Sequence, residues 1–242
     1  MASFAFPPDW KAGLVERWQY LTDVLVAWDA TEQRRQLRLF PRVELEYEAF
    51  CAGADATNLP VWLNAYQQGL FTVPYWPGGG STLYNARFLE PVEVKWRTPL
   101  LARVAVKTRL IDLLPAPSGA VDQVNGEDAF HTPHPDWAAP LPDSWRAFID
   151  IFDAQTGPIR VTSRAPFARR RWTLEYLVAG TDVARLRRFV WLRYGRLKPC
   201  YLPAPEGDLA LCRLDIDEIE WRWITPSVCR VTLGALTLPD EA

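Results

Sequence analysis

Two histidines, His131 and His134, form a His-Thr-Pro-His stretch, the nearest thing in the chain to a metal-ligand pair. Pro133 between them prevents presentation on one helical face, and no cysteine or acidic cluster completes a set, so no metal is expected. The carboxylates Asp215, Asp217, Glu218 and Glu220 suggest a general acid and base. Asp215 and Asp217 alternate with Leu214 and Ile216, however, which places them on the wet face of a strand. The run "PGGGS" (77–81) lacks the Lys-Ser/Thr that a phosphate loop needs and reads as a flexible turn. No serine or cysteine nucleophile motif is present. No catalytic residue and no cofactor are therefore expected; an enzyme would need a site assembled from parts distant in sequence.

Twelve tryptophans raise sugar binding by exposed rings. Trp62, Trp96, Trp172 and Trp221 fall at alternating or helical apolar positions, so core packing is the expectation. The run Arg169-Arg170-Arg171 suits a nucleic-acid backbone, but a net charge of −2 gives no global attraction, and no specific nucleic-acid binding is expected. The charge is polarised all the same. Nine arginines and one lysine between Arg164 and Lys198 oppose only Glu175 and Asp182, while six acids between Glu206 and Glu220 oppose only Arg213. This split predicts a protein interface. Arg169, Arg170, Arg171, Arg185, Arg187 and Arg188 are its basic candidates; Asp215, Asp217, Glu218 and Glu220 of a neighbouring copy are its acidic ones.

The elements that position these groups are short. Twenty-one prolines in 242 residues exclude long helices. The chain has no apolar run of ~18 residues, so no membrane span is expected, and its start shows no export signal. Four widely spaced cysteines (Cys51, Cys200, Cys212, Cys229) suggest free thiols in a reducing cytoplasm.

The chain also reads as two copies of one pattern. In the second, "AFIDIF" (147–152) and "IRVTSR" flank a Gly157-Pro158 turn, "RWTLEYLV" alternates as a strand, Thr181 caps a helix ending at Gly195, and "RLKPCYLP" is an edge strand. In the first, "DVLVAW" and "QRRQLRL" flank "DATE", "VELEYEAF" alternates, "TNLPVWLNAYQQG" is a helix closed by Gly69, and "LFTVPYWP" follows. Leu45-Glu46-Tyr47 aligns with Leu174-Glu175-Tyr176, Asp29-Ala30 with Asp153-Ala154, Gly69 with Gly195, and Pro74–Pro77 with Pro199–Pro203. Further strands follow each copy. The expected fold is mainly β with two short helices (α+β), as two tandem antiparallel barrel or sandwich modules, each with one packed helix. The modules are 1–114, which includes the N-terminal segment, and 145–242. A Pro/Gly-rich linker or arm, 115–144, joins them.

The stretch "YLTDVLVAWDATEQRRQLRLFPRVELEY" with the following helix and "VPYWP" resembles the minor tail and distal tail proteins of long-tailed, siphovirus-type bacteriophages. "RRRWTLEYL" with "LRRFVWLRYGRLKPCYLP" is similar to the same class. The resemblance spans about residues 16–78 and 164–207, in degenerate motifs whose order gives them weight. It implies tail-tube-like modules in a non-catalytic virion protein. Such a protein is made in the host cytoplasm and forms a ring that joins the tail tube to the tip or baseplate hub. Two modules per chain then favour a trimer with pseudo-six-fold symmetry over a hexamer. A receptor- or carbohydrate-binding tail module is the alternative.

Overall fold

The computed structural model describes residues 3–27, 32–138, 142–152 and 160–238, with the backbone alone over 147–152 and 160–168. In chain order its elements are β1 (Leu14–Gln19), β2 (Thr22–Val26), β3 (Glu32–Gln36), β4 (Arg42–Ala52), α1 (Ala54–Tyr66), β5 (Phe71–Pro74), β6 (Leu83–Phe88), β7 (Glu93–Thr98), β8 (Leu101–Leu110), β9 (Asp122–Val124), β10 (Glu127–Ala129), β11 (Asp143–Phe152), β12 (Arg160–Ala179), α2 (Thr181–Arg193), β13 (Cys200–Pro203), β14 (Leu209–Leu214), β15 (Glu218–Thr225) and β16 (Val228–Thr237). The fold is mainly β, with two α-helices among the described residues.

Period-two alternation builds the sheet. On β4, Val43, Leu45, Tyr47, Ala49 and Cys51 are buried, while Arg42, Glu46 and Phe50 are exposed. β12 buries Trp172, Leu174, Tyr176 and Val178 in the same way, and Glu175 lies outside that row. Burying one such aliphatic side chain stabilises by about 1.5–3 kcal/mol. The inward residues of both halves form one continuous apolar cluster rather than two separate cores. The outward face carries ion pairs, among them Arg103–Glu48, Arg109–Glu44 and Arg230–Glu175.

Antiparallel pairing runs unbroken through eight strands in the order β7-β8-β4-β1-β15-β16-β12-β11. The pair β6–β5 branches from β8, and β14–β13 branches from β16. The hairpin β9–β10 joins β13 through a parallel contact, and β2–β3 stands as a separate two-stranded sheet.

The two halves share one register, displaced by 127 residues (180 − 53 for the glycines that precede the helices). Tyr47 faces Val106 as Leu174 faces Leu233, and Cys51 faces Ala102 as Val178 faces Cys229. The pairs β7–β8 and β15–β16 even share a bulge, between Trp96 and Thr98 and between Trp223 and Thr225. Glu16 faces Leu45 as Asp143 faces Trp172, and Thr22 faces Gln36 as Ile149 faces Ser163. β11 therefore corresponds to β1 and β2 together, and β12 to β3 and β4 together. Gly53 (φ 59, ψ −126) and Gly180 (φ 56, ψ −124) turn the chain into helices of 13 residues each. Only glycine adopts that backbone without strain.

This register corrects the alignment expected from sequence. The counterpart of Leu45-Glu46-Tyr47 is Trp172-Thr173-Leu174, two residues from the matching tripeptide. Gly69 and Gly195 are not equivalent either: Gly195 has φ +66 directly after the left-handed Tyr194, whereas α1 ends on a right-handed Gln67. After the helices the offset grows from 127 to 129, so Pro74 corresponds to Pro203, opposite Leu83 and Leu209. Gly180 rather than Thr181 occupies the cap of α2, and α1 begins three residues before Thr57. The turns at Asp29-Ala30, Asp153-Ala154 and Gly157-Pro158 lie outside the described residues.

Within the expected linker 115–144, the described residues 115–138 dock on the fold at several points. Arg185 of α2 binds Asp122, and Phe130 is buried against Tyr176 and Phe189. Its later part belongs to the second repeat. Phe130 donates its backbone N–H to Tyr201 as Phe4 donates to Thr72. Asp136 donates to Glu175 as Asp9 donates to Glu48, each at 2.7 Å.

Candidate assembly interface

The two repeats meet where β1 of the first pairs with β15 of the second, over six residue pairs from Leu14↔Trp223 to Gln19↔Glu218. Alternation on β1 sends Leu14, Glu16 and Trp18 inward, so a carboxylate enters a layer otherwise made of rings. Glu16 is fully buried. Arg187 reaches it from α2, with Nη1 donating at 2.8 Å and Nη2 at 3.2 Å. The indole N–H groups of Trp18 and Trp223 donate to Glu16 at 2.5 and 3.0 Å, and the Tyr75 hydroxyl completes the shell. The guanidinium lies 4.6 Å from the ring of Trp18 and 5.4 Å from that of Trp221. Burial disfavours charge on Arg187, but the Glu16 carboxylate more than offsets this and raises its pKa above the ordinary value. Burial also pushes the Tyr75 hydroxyl well up, which keeps it a neutral donor.

On the polar face of the same joint Arg17 fans out to Glu46 at 2.6 Å, Glu220 at 3.2 Å and Glu218 at 3.7 Å. Burial raises the Glu220 pKa, yet Arg222 and Arg17 prevail and hold it below the ordinary value.

The charged residues singled out from sequence are largely engaged inside the chain. Arg169 is buried against Glu32 of β3. Arg170 binds Asp143 at 2.9 Å and Glu206 at 2.7 Å, and Arg171 binds Asp215 at 2.5 Å. Burial raises the Asp215 carboxyl, with Arg171 opposing. Arg185 holds Asp122 and Asp182, while Arg188 makes no ion pair among the described residues. Asp217 accepts the backbone N–H groups of Thr22 and Arg196, which ties the β1–β2 bend to the exit of α2. Glu218 takes Arg17 and Gln19. The arrangement can clamp and align strands. His131 stands 3.8 Å from Asp122, and no three His, Cys, Asp or Glu residues group around a metal position among the described residues.

Two edges of the eight-strand path are unpaired among the described residues: β7, bound only to β8, and β11, bound only to β12. They correspond to the two strands that pair at the internal joint. Their side chains differ in exposure. Trp18 and Trp223 are 0% and 1% exposed, whereas their counterparts Trp145 and Trp96 are 65% and 46% exposed. Trp10 packs against the core beside β15, and its counterpart Trp137 is exposed.

Sequence reasoning missed Glu16, Trp18 and these edges. A signal was present at a spacing of 127: Pro-Asp-Trp at 8–10 and 135–137, Ala-Gly-x-Asp at 52–55 and 179–182, and Glu-x-Lys/Arg-Trp-x-Thr-Pro at 93–99 and 220–226. No protein-family model and no curated protein matches the chain. No helix among the described residues is long and apolar enough to cross a membrane.

Proposed function

We propose that the protein is a structural component of a phage tail, forming a ring at the distal end between the tail tube and the tip or baseplate hub. The observation that carries the structural part of this reading is the internal joint. One chain contains two equivalent four-stranded units placed edge to edge, the arrangement that two consecutive segments of a heterologous, repeating assembly would have. Both helices pack on the apolar side of the path, so the broader helix-bearing side suits the outside of a ring and the charged side its inside. Three chains supply six such units, which favours a trimer with pseudo-six-fold symmetry over a hexamer. The viral setting rests on the resemblance of residues 16–78 and 164–207 to tail proteins.

Imaging of assembled particles with this subunit labelled tests the setting. Label in a ring at the distal end of the tail supports it; label elsewhere, or none, overturns it. The receptor-binding alternative predicts label on protruding fibres and sugar-dependent quenching of the exposed tryptophans.

A further inference from the structure

We infer that the unpaired edges β7 and β11 are two halves of a second joint. β11 of one chain pairs antiparallel with β7 of the next, in the register that β1 and β15 use inside the chain. This deepens the ring reading by naming its joint, and it rests on that reading only for closure of the ring. The occupant is a second copy because the chain already contains the same joint, made from the same two strand types. At the internal joint each residue number on β1 and its partner on β15 are related by Glu16↔Trp221 and Arg17↔Glu220. Shifting each strand by the 127-residue repeat gives Asp143↔Val94, Ser144↔Glu93, Trp145↔Val92 and Arg146↔Pro91 between copies.

Three observations point the same way. Trp145 stands exposed where Trp18 is buried, and Trp96, beyond the four pairs on the same edge, is exposed where Trp223 is buried; large rings left bare at a sheet edge mark an interaction surface. Face matching is preserved, since Trp145 would meet Val92 and lie diagonal to Val94 on the apolar side. Edge charges usually discourage pairing, yet β15 carries Glu220 and Arg222 at the positions of Glu93 and Lys95 and is paired on both sides. Edge charge on β7 is therefore no bar to the same use.

The second joint is weaker by construction. Pro142 and Pro91 both lack the N–H that extends a ladder, so at most four pairs replace six, two of them formed by Val92 and Pro91 just before β7. The buried ion pair has no counterpart either: Pro60 stands where α2 carries Arg187, and Asp143 is held by Arg170 of its own chain. Such a joint suits association of finished subunits, while the internal one is part of folding.

The test is cysteine cross-linking in the full chain, whose native cysteines are all buried. Glu93→Cys with Ser144→Cys is expected to give a disulfide between chains that traps the closed oligomer. Arg17→Cys with Glu220→Cys gives the matching bond within one chain. Glu93→Cys with Arg146→Cys, two residues off register, is expected to cross-link at least about tenfold less. Trp145→Ser, changing an exposed residue, should leave the monomer folded and weaken association by about 30-fold or more. A ring seen by native mass in which the off-register pair links as well overturns the joint and leaves the ring reading standing. A chain that stays monomeric at high concentration, with no inter-chain bond, overturns the joint too; the labelled particle then decides the ring reading separately.

Discussion

The joint inside the chain and the edges at its two ends are built from the same strands and treated differently. Inside, Glu16, Arg187, Tyr75 and the indoles of Trp18 and Trp223 are packed out of water with their polar atoms matched. At the ends the corresponding strands carry Asp143, Trp145, Val94 and Trp96, more exposed and tied only to their own chain. A buried carboxylate is tolerable only where its partners are permanent, because a charge left unpaired in a core is costly. In the proposed second joint, a surface that must exist both alone and in contact would keep its rings and give up its buried ion pair. Duplication allows this, since one copy of an edge can commit to folding while the other stays available.

The sharpest way to break the comparison is to remove Arg187. Arg187→Met leaves Glu16 buried without its cation, and the expected loss is about 3–5 kcal/mol in denaturant unfolding. Asp143→Asn, at the corresponding place on the free edge, is expected to cost under about 1 kcal/mol, as for an exposed pair. Equal costs would mean that the two places are energetically alike. Trp18→Ala against Trp145→Ala sharpens the same contrast. The first empties a core site and is expected to cost about 3–5 kcal/mol. The second loses only its stacking on Arg170, 5.1 Å away, worth about 1 kcal/mol or less.

The helix-entry glycines test likeness rather than difference. Gly53 and Gly180 share one backbone conformation, and a Cβ at either would meet nothing within 4 Å. Gly53→Ala and Gly180→Ala should therefore cost the same backbone strain, about 1–3 kcal/mol each. A difference larger than the error of chemical denaturation would show that the two turns are held differently.

Strand faces were legible in the sequence and register was not, for one physical reason. Side chains alternate with period two, so an alignment that slips by two residues keeps every inward residue inward. Matching Leu45-Glu46-Tyr47 to Leu174-Glu175-Tyr176 thus predicted the buried rows correctly while misplacing the repeat. The second repeat also hid its start, because residues 130–137 look like linker by their prolines yet dock as residues 4–10 do. In the first repeat the long strand breaks between Gln36 and Arg42, around Pro41, where β12 runs on. The charge split between 164–198 and 206–220 suggests pairing between copies; within the chain the two stretches meet at Arg170–Glu206 and Arg171–Asp215, while Arg169, Arg185 and Arg187 bind Glu32, Asp122 and Glu16. Glu16 and Arg187, 171 residues apart, have no local signature at all.

The smallest expected effect concerns the polar side of the joint. Arg17 binds Glu46, Glu218 and Glu220, whereas its counterpart on the free edge is Ser144, which has no charge to offer. Among these acids Glu220 is held below its ordinary value of 4.5 by Arg222 and Arg17 against the opposing effect of burial. A depressed carboxylate stabilises the folded state above its unfolded pKa, and that stability fades as pH falls through the folded value. Wild-type protein should therefore lose slightly more stability than Arg17→Ser on going from pH 7 to below about 4, with the difference under about 1 kcal/mol for so exposed a network. Because Arg222 also binds Glu220, at 2.6 Å, the substitution should remove only part of the effect. Parallel unfolding curves at the two pH values measure it. An Arg17→Ser protein that loses more stability in acid than wild type would show that Arg17 does not favour the ionised acids, and that the polar faces of the two joints are more alike than their sequences.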